Sequence, residues 1–189
     1  MPKTAVIDND FLNNLIDLRN HNDAYDIIVQ FFAALDYKIV MHPLVFKHEK
    51  NPIYYPLMDR LFNEKVITVP ELSELWSNIS GGKTFYELMV KKVYSEFTGK
   101  QYPCHDVCGD WKKQDSLGEV HSVVMCIYMD CECFLSDDGE AVKYLGNATE
   151  SATQKAVLIY DRQKCCDILK ASGALNHNVL NIIGHKKKQ

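Results

Sequence analysis

Ala5-Val-Ile-Asp-Asn-Asp-Phe-Leu12 (AVIDNDFL) is an apolar run, rich in β-branched residues, that ends abruptly in acids. Short runs of this kind read as buried strands. The pattern returns far along the chain in Cys133–Leu145, CFLSDDGEAVKYL: a short apolar strand, a pair of acids, then helical spacing. Between and beyond them lie YKIVMH (37–42), followed by a short helix starting near Pro43, and KAVLIYDRQKCCDILKASGAL (155–175), a strand running into a helix. KVITVP (65–70) is cut short by Pro70 and reads as an edge strand or a connection.

Helical spacing fills the intervals. Ala24, Ile27, Ile28, Phe31, Phe32 and Leu35 form one apolar stripe. Thr84 and Glu87 have capping-box spacing ahead of FYELMVKKVYSEFTG, and Gly99 is placed to stop that helix. Lys100–Asp115 loses periodicity and reads as a loop. In LGEVHSVVMCIYMDC (117–131), Val120, Val123, Val124, Ile127 and Tyr128 make a broad apolar face. Strands alternating with helices predict an α/β fold, a mostly parallel central sheet flanked by helices, because parallel strands need crossovers.

The chain's 189 residues suffice for one layered domain. The formal net charge of −4 excludes binding to nucleic acid through bulk positive charge. Seven cysteines, an odd number without a secretory leader, predict reduced thiols and a cytoplasmic protein. No stretch is apolar for long enough to span a membrane.

Ligands of parallel sheets collect beyond the carboxyl ends of the strands. Asp8 and Asp137 therefore sit at the same predicted rim, with Glu119 in the first turn of the preceding helix and Glu49 on the helix after YKIVMH. Clustered carboxylates repel unless a cation is present, and Mg2+, or Mn2+ in its place, suits an all-oxygen site and would activate water for phosphodiester hydrolysis. Each acid also has a plainer role. Asp8 and Asp10, or Asp137 and Asp138, equally suit helix capping, Glu119 suits a helix dipole, and Glu49 suits a charged turn.

The chain resembles PIN-domain ribonucleases. The matching pieces are VIDNDFL, HPLVFKHE, DSLGEVHSVV (a Gly-Glu variant of the third acidic motif) and FLSDDGEAVKYL. The resemblance implies a three-layer PIN-like domain over 1–185, with an unmatched insertion at about 64–114 and a basic tail at 186–189. It implies a metal-dependent endoribonuclease with Asp8, Glu49, Glu119 and Asp137 as the acidic cluster. Asp138 competes for the last place, and Asp10 stands where the family often has Asn, Ser or Thr. It further implies RNA as substrate, a homodimer and, for a toxin of a toxin-antitoxin pair, an antitoxin partner. Lys112 and Lys113 are the cations placed to guide a phosphate backbone. Cys104, His105 and Cys108, with His121, lack the paired spacing of strong zinc sites.

Two other readings stand beside this one. A haloacid-dehalogenase-like phosphatase would use Asp8 as nucleophile and Asp10 as acid-base partner. It requires a Ser or Thr where the chain has MHPL, and leaves Glu49 and Glu119 without a role. A PIN-like fold that binds RNA or protein without cutting is the third.

Overall fold

The structure is a computed structural model that describes residues 3–17, 23–49, 55–77, 81–109 and 116–184. Its centre is a five-stranded sheet in the order β3-β2-β1-β4-β5. The strands are β1 (Lys3–Ile7), β2 (Tyr37–Met41), β3 (Ile67–Thr68), β4 (Cys133–Leu135) and β5 (Leu158–Tyr160). Every pairing is parallel, and β1 is the centre of the register, with Ile7 opposite Met41 on one side and Leu135 on the other.

Period-2 alternation sends each strand's residues to two separate cores. Ala5, Ile7, Ile39, Met41, Ile67, Cys133 and Leu135 face one side, packed under α1 (Asn9–Ile16), α2 (Ala24–Leu35), α4 (Tyr55–Asn63), α9 (Arg162–Ser172) and α10 (His177–Gly184). Val6, Val40 and Phe134 face the other side, under α5 (Glu74–Ser77), α6 (Gly82–Thr98), α7 (Leu117–Tyr128) and α8 (Gly146–Thr153), the last entered through a π-helical segment at Ala141–Leu145. α3 (Pro43–Glu49) crosses the carboxyl end of the sheet between α1 and α7. Covering both faces is why the strands read as unbroken apolar runs. The result is a three-layer α/β architecture, as expected.

All six stripe residues of α2 are buried; full burial of a side chain such as Phe31 contributes about 1.5–3 kcal/mol. α6 does end at Gly99, which takes a left-handed φ of 67°. Its start differs from the expected capping box: the helix begins at Gly82, with Gly81 at the cap and no side-chain cap bond. Thr84 therefore lies inside the first turn, while Glu87 pairs with Lys83 one turn back at 3.4 Å. The middle segment is not ornament. It supplies β3 and, through Tyr86, Val90, Val93 and Tyr94 of α6, much of the second core. Cys165 and Cys166 are both buried. Among the described residues no helix is long and apolar enough to cross a membrane.

Candidate functional site

The chain steps outward from β1 to β2 to β3, then returns across β1 to β4 and β5. The direction of winding therefore reverses between β1 and β4, and a crevice opens at such a switch point beyond the strand ends. Asp8 follows β1 there, tied by its backbone N–H to the Leu135 carbonyl at 2.9 Å. Ser136 follows β4.

Asp8 is 2% exposed. Although it occupies the cap position of α1, its side chain makes no cap bond. The Ser136 hydroxyl donates to Asp8 Oδ2 at 2.8 Å. That hydroxyl is aimed by the Asp138 backbone N–H, which donates to Ser136 Oγ at 3.2 Å. Burial, followed by the negative charge of Glu119, pushes the Asp8 carboxyl well above the usual carboxylate range; the Ser136 bond pulls the other way, and Asp10 and Glu49 add to the rise. Among the described residues no cation is one of these main influences.

Glu119 lies in the first turn of α7 and Glu49 at the end of α3. Asn9 Nδ2 donates to the Glu49 carbonyl at 3.1 Å, fixing the end of α3 against α1. The Gly118-Glu119 pair has a steric cause: a β-carbon on Gly118 would lie 2.4 Å from Glu49 Oε1. Glycine is what lets the Glu49 carboxylate lie against the first turn of α7. Thus Asp8, Asp10, Glu49 and Glu119 share one electrostatic neighbourhood.

The other two predicted acids are engaged elsewhere. Asp137 forms an ion pair with the Arg162 guanidinium, with both side chains mostly buried. It also accepts the Arg162 backbone N–H at 3.0 Å and Asn14 Nδ2 at 2.9 Å. Asp138 Oδ1 accepts the backbone N–H groups of Glu140 and Ala141 at 2.9 and 2.7 Å, which makes it a turn-and-cap residue. Among the described residues no three His, Cys, Asp or Glu side chains are gathered closely enough to hold a metal ion directly, at the rim or around Cys104, His105 and Cys108. Lys112, Lys113 and the tail at 186–189 lie outside the described residues.

The residue after β2, where the phosphatase scheme requires a hydroxyl, is His42, fully buried.

His42 begins a buried series of polar side chains that local sequence does not announce. The Leu44 backbone N–H donates to His42 Nδ1 at 3.1 Å, so the neutral ring carries its proton on Nε2. That proton goes to the Tyr86 oxygen at 2.8 Å. Tyr86 then donates to His121 Nδ1 at 2.9 Å, leaving His121 Nε2–H to reach the Tyr102 oxygen at 3.1 Å. One direction of donation runs through all four side chains. Burial holds both imidazoles neutral, with His42 well below its ordinary value and further lowered by His121, and His121 down to about 3. Parallel register places His42 beside Asp8 at the strand ends, since Ile7 pairs with Met41. The available signal was an apolar strand followed by histidine, with a second histidine on the apolar face of LGEVHSVV.

Comparison with known proteins leaves the family open: no family model matches this chain, and neither a curated protein nor a solved structure matches it.

Proposed function

We propose that the chain is a divalent-metal-dependent endoribonuclease whose reaction centre is the rim formed by Asp8, Glu119, Asp10 and Glu49. The observation that supports this reading is the buried Asp8 carboxyl at the topological switch point, with three further carboxylates acting on it. Like charges near a buried acid cost free energy, a cost that a bound cation would relieve. The all-oxygen donor set suits Mg2+ or Mn2+, which would be held largely through retained waters between Asp8 and its neighbouring carboxylates. When bound, such an ion supplies an activated water and neutralises charge on phosphate oxygens. Ser136 holds Asp8 in one orientation, and Gly118 admits Glu49 to the site. Asp137 belongs to the scaffold of this rim through Arg162 and Asn14.

The test is cleavage of a labelled single-stranded RNA in Mg2+ or Mn2+ by the parent protein, Asp8→Asn and Glu119→Gln. Internal cutting by the parent and its loss in both variants is the expected result. An inactive parent, or cutting undiminished in both variants, overturns the reading. Release of phosphate from a chromogenic ester without RNA cutting would favour a phosphatase.

A further inference from the structure

The C-terminal corner of α7 is a Schellman turn. Met129 is its cap, Asp130 follows in the left-handed conformation with φ 51°, the Cys131 N–H donates to the Cys126 carbonyl at 2.9 Å, and the Asp130 N–H donates to the Ile127 carbonyl at 3.4 Å. A turn of this type brings together the side chains at the two ends of its outer bond. Both are thiols here, and burial first, then the neighbouring Cys131 thiol, pushes the Cys126 thiol well up. An N–H···O=C bond between the pair's own backbones holds the α-carbons at a separation a disulfide can span, about 4.4–6.8 Å.

Cys126 is 1% exposed and sits in the second core, whereas Cys131 is half-buried against that same core. Cys133, two residues on, belongs to the opposite core and offers Cys126 only its carbonyl oxygen, at 3.6 Å. The pair is therefore singled out by geometry among the neighbouring cysteines.

We propose that Cys126 and Cys131 form a redox modification site that closes reversibly to an intramolecular disulfide, with a low-molecular-weight disulfide as oxidant. The Cys131 thiolate attacks one sulfur of the oxidant, forming a mixed disulfide and expelling one thiolate. Cys126 attacks the Cys131 sulfur and expels the second, its proton passing to the departing thiolate. Two protein thiols are oxidised and the oxidant is reduced to two thiols. The new bond staples the end of α7 to the start of β4, fixing the helix that carries Glu119 and His121 against the sheet.

The experiment incubates the native full chain with oxidised glutathione, blocks remaining thiols, and maps the digested peptides by mass spectrometry. A Cys126–Cys131 cross-link that dithiothreitol reverses is expected. Cys126→Ala should stop at a glutathionyl group on Cys131, and Cys131→Ser, altered at a half-buried position, should leave Cys126 unmodified until the chain is unfolded. The proposal is overturned if the parent yields Cys126 and Cys131 as separately blocked thiols while other cysteines oxidise. It is equally overturned if Cys131 retains its glutathionyl group in the parent, or if Cys126 links to a different cysteine.

Discussion

Replacing Tyr86 with phenylalanine removes a single oxygen from a fully buried position. That oxygen accepts from His42 Nε2 at 2.8 Å and donates to His121 Nδ1 at 2.9 Å. Neither imidazole reaches water, since both histidines are 0% exposed. Tyr86→Phe therefore strands a donor on His42 and an acceptor on His121, and a buried polar group left unsatisfied costs about 1–3 kcal/mol. The expected loss is roughly 2–6 kcal/mol, a large share of the roughly 5–15 kcal/mol that holds a typical domain together. For a chain of this length it lowers the melting temperature by roughly 5–20 °C. Tyr128 supplies the control. Its ring packs against Tyr86 with centroids 5.5 Å apart, yet its buried hydroxyl has no hydrogen-bond partner among the described residues. Tyr128→Phe removes the same atom from the same aromatic cluster and should be neutral or mildly stabilising. Urea titration with fluorescence and circular dichroism measures both. If the two variants fall within about 0.5 kcal/mol of one another, the directed chain of donors does not contribute as argued.

Acid should weaken the fold through the same pair. His42 and His121 have folded pKa values below their ordinary 6.5, so the unfolded chain binds protons that the folded chain refuses; their contribution is intact above pH 6.5 and lost as pH falls toward about 3. Asp8 acts oppositely, its raised value favouring the folded state as pH falls toward 3.8. Two histidine protons bound the slope at about 2.7 kcal/mol per pH unit, and His121→Gln should reduce it by about 1.4, as read from urea midpoints across that range. Gly118→Ala separates site from scaffold. Its β-carbon collides only with the far end of Glu49, a flexible side chain, so the melting temperature should move by less than about 3 °C, helped by the better helix propensity of alanine. Metal-dependent RNA cutting should fall at least about tenfold, in keeping with the sensitivity of metal sites to displaced partners. Unchanged cutting would remove Glu49 from the site.

The layered architecture was legible because burial on both faces writes itself into local sequence. Val6 and Ile7 belong to different cores, and a strand covered on both sides has no polar alternation to obscure it. Asp8 and Glu119 were legible for a related reason, since a strand end and a helix start are local features and parallel topology sets them at one rim. Asp137 was not: the Arg162 that claims it lies 25 residues on, and the ion pair exists only once β4 and β5 are side by side. The His42-Tyr86-His121-Tyr102 series was hidden likewise, its bonds joining residues 44, 35 and 19 apart in sequence. Thr84 and Glu87 misled because capping spacing is a local motif, whereas the start of α6 is set one turn earlier by the left-handed glycine at 81.

The outermost strands have a bearing on self-association. At one border of the sheet β3 contributes two residues, and at the other β5 contributes three. A newcomer's backbone would find too few free amides and carbonyls at either border to extend the ladder, which is how natural sheets resist stacking edge to edge. Continuation of the sheet from one copy of this chain into another is accordingly disfavoured at both borders.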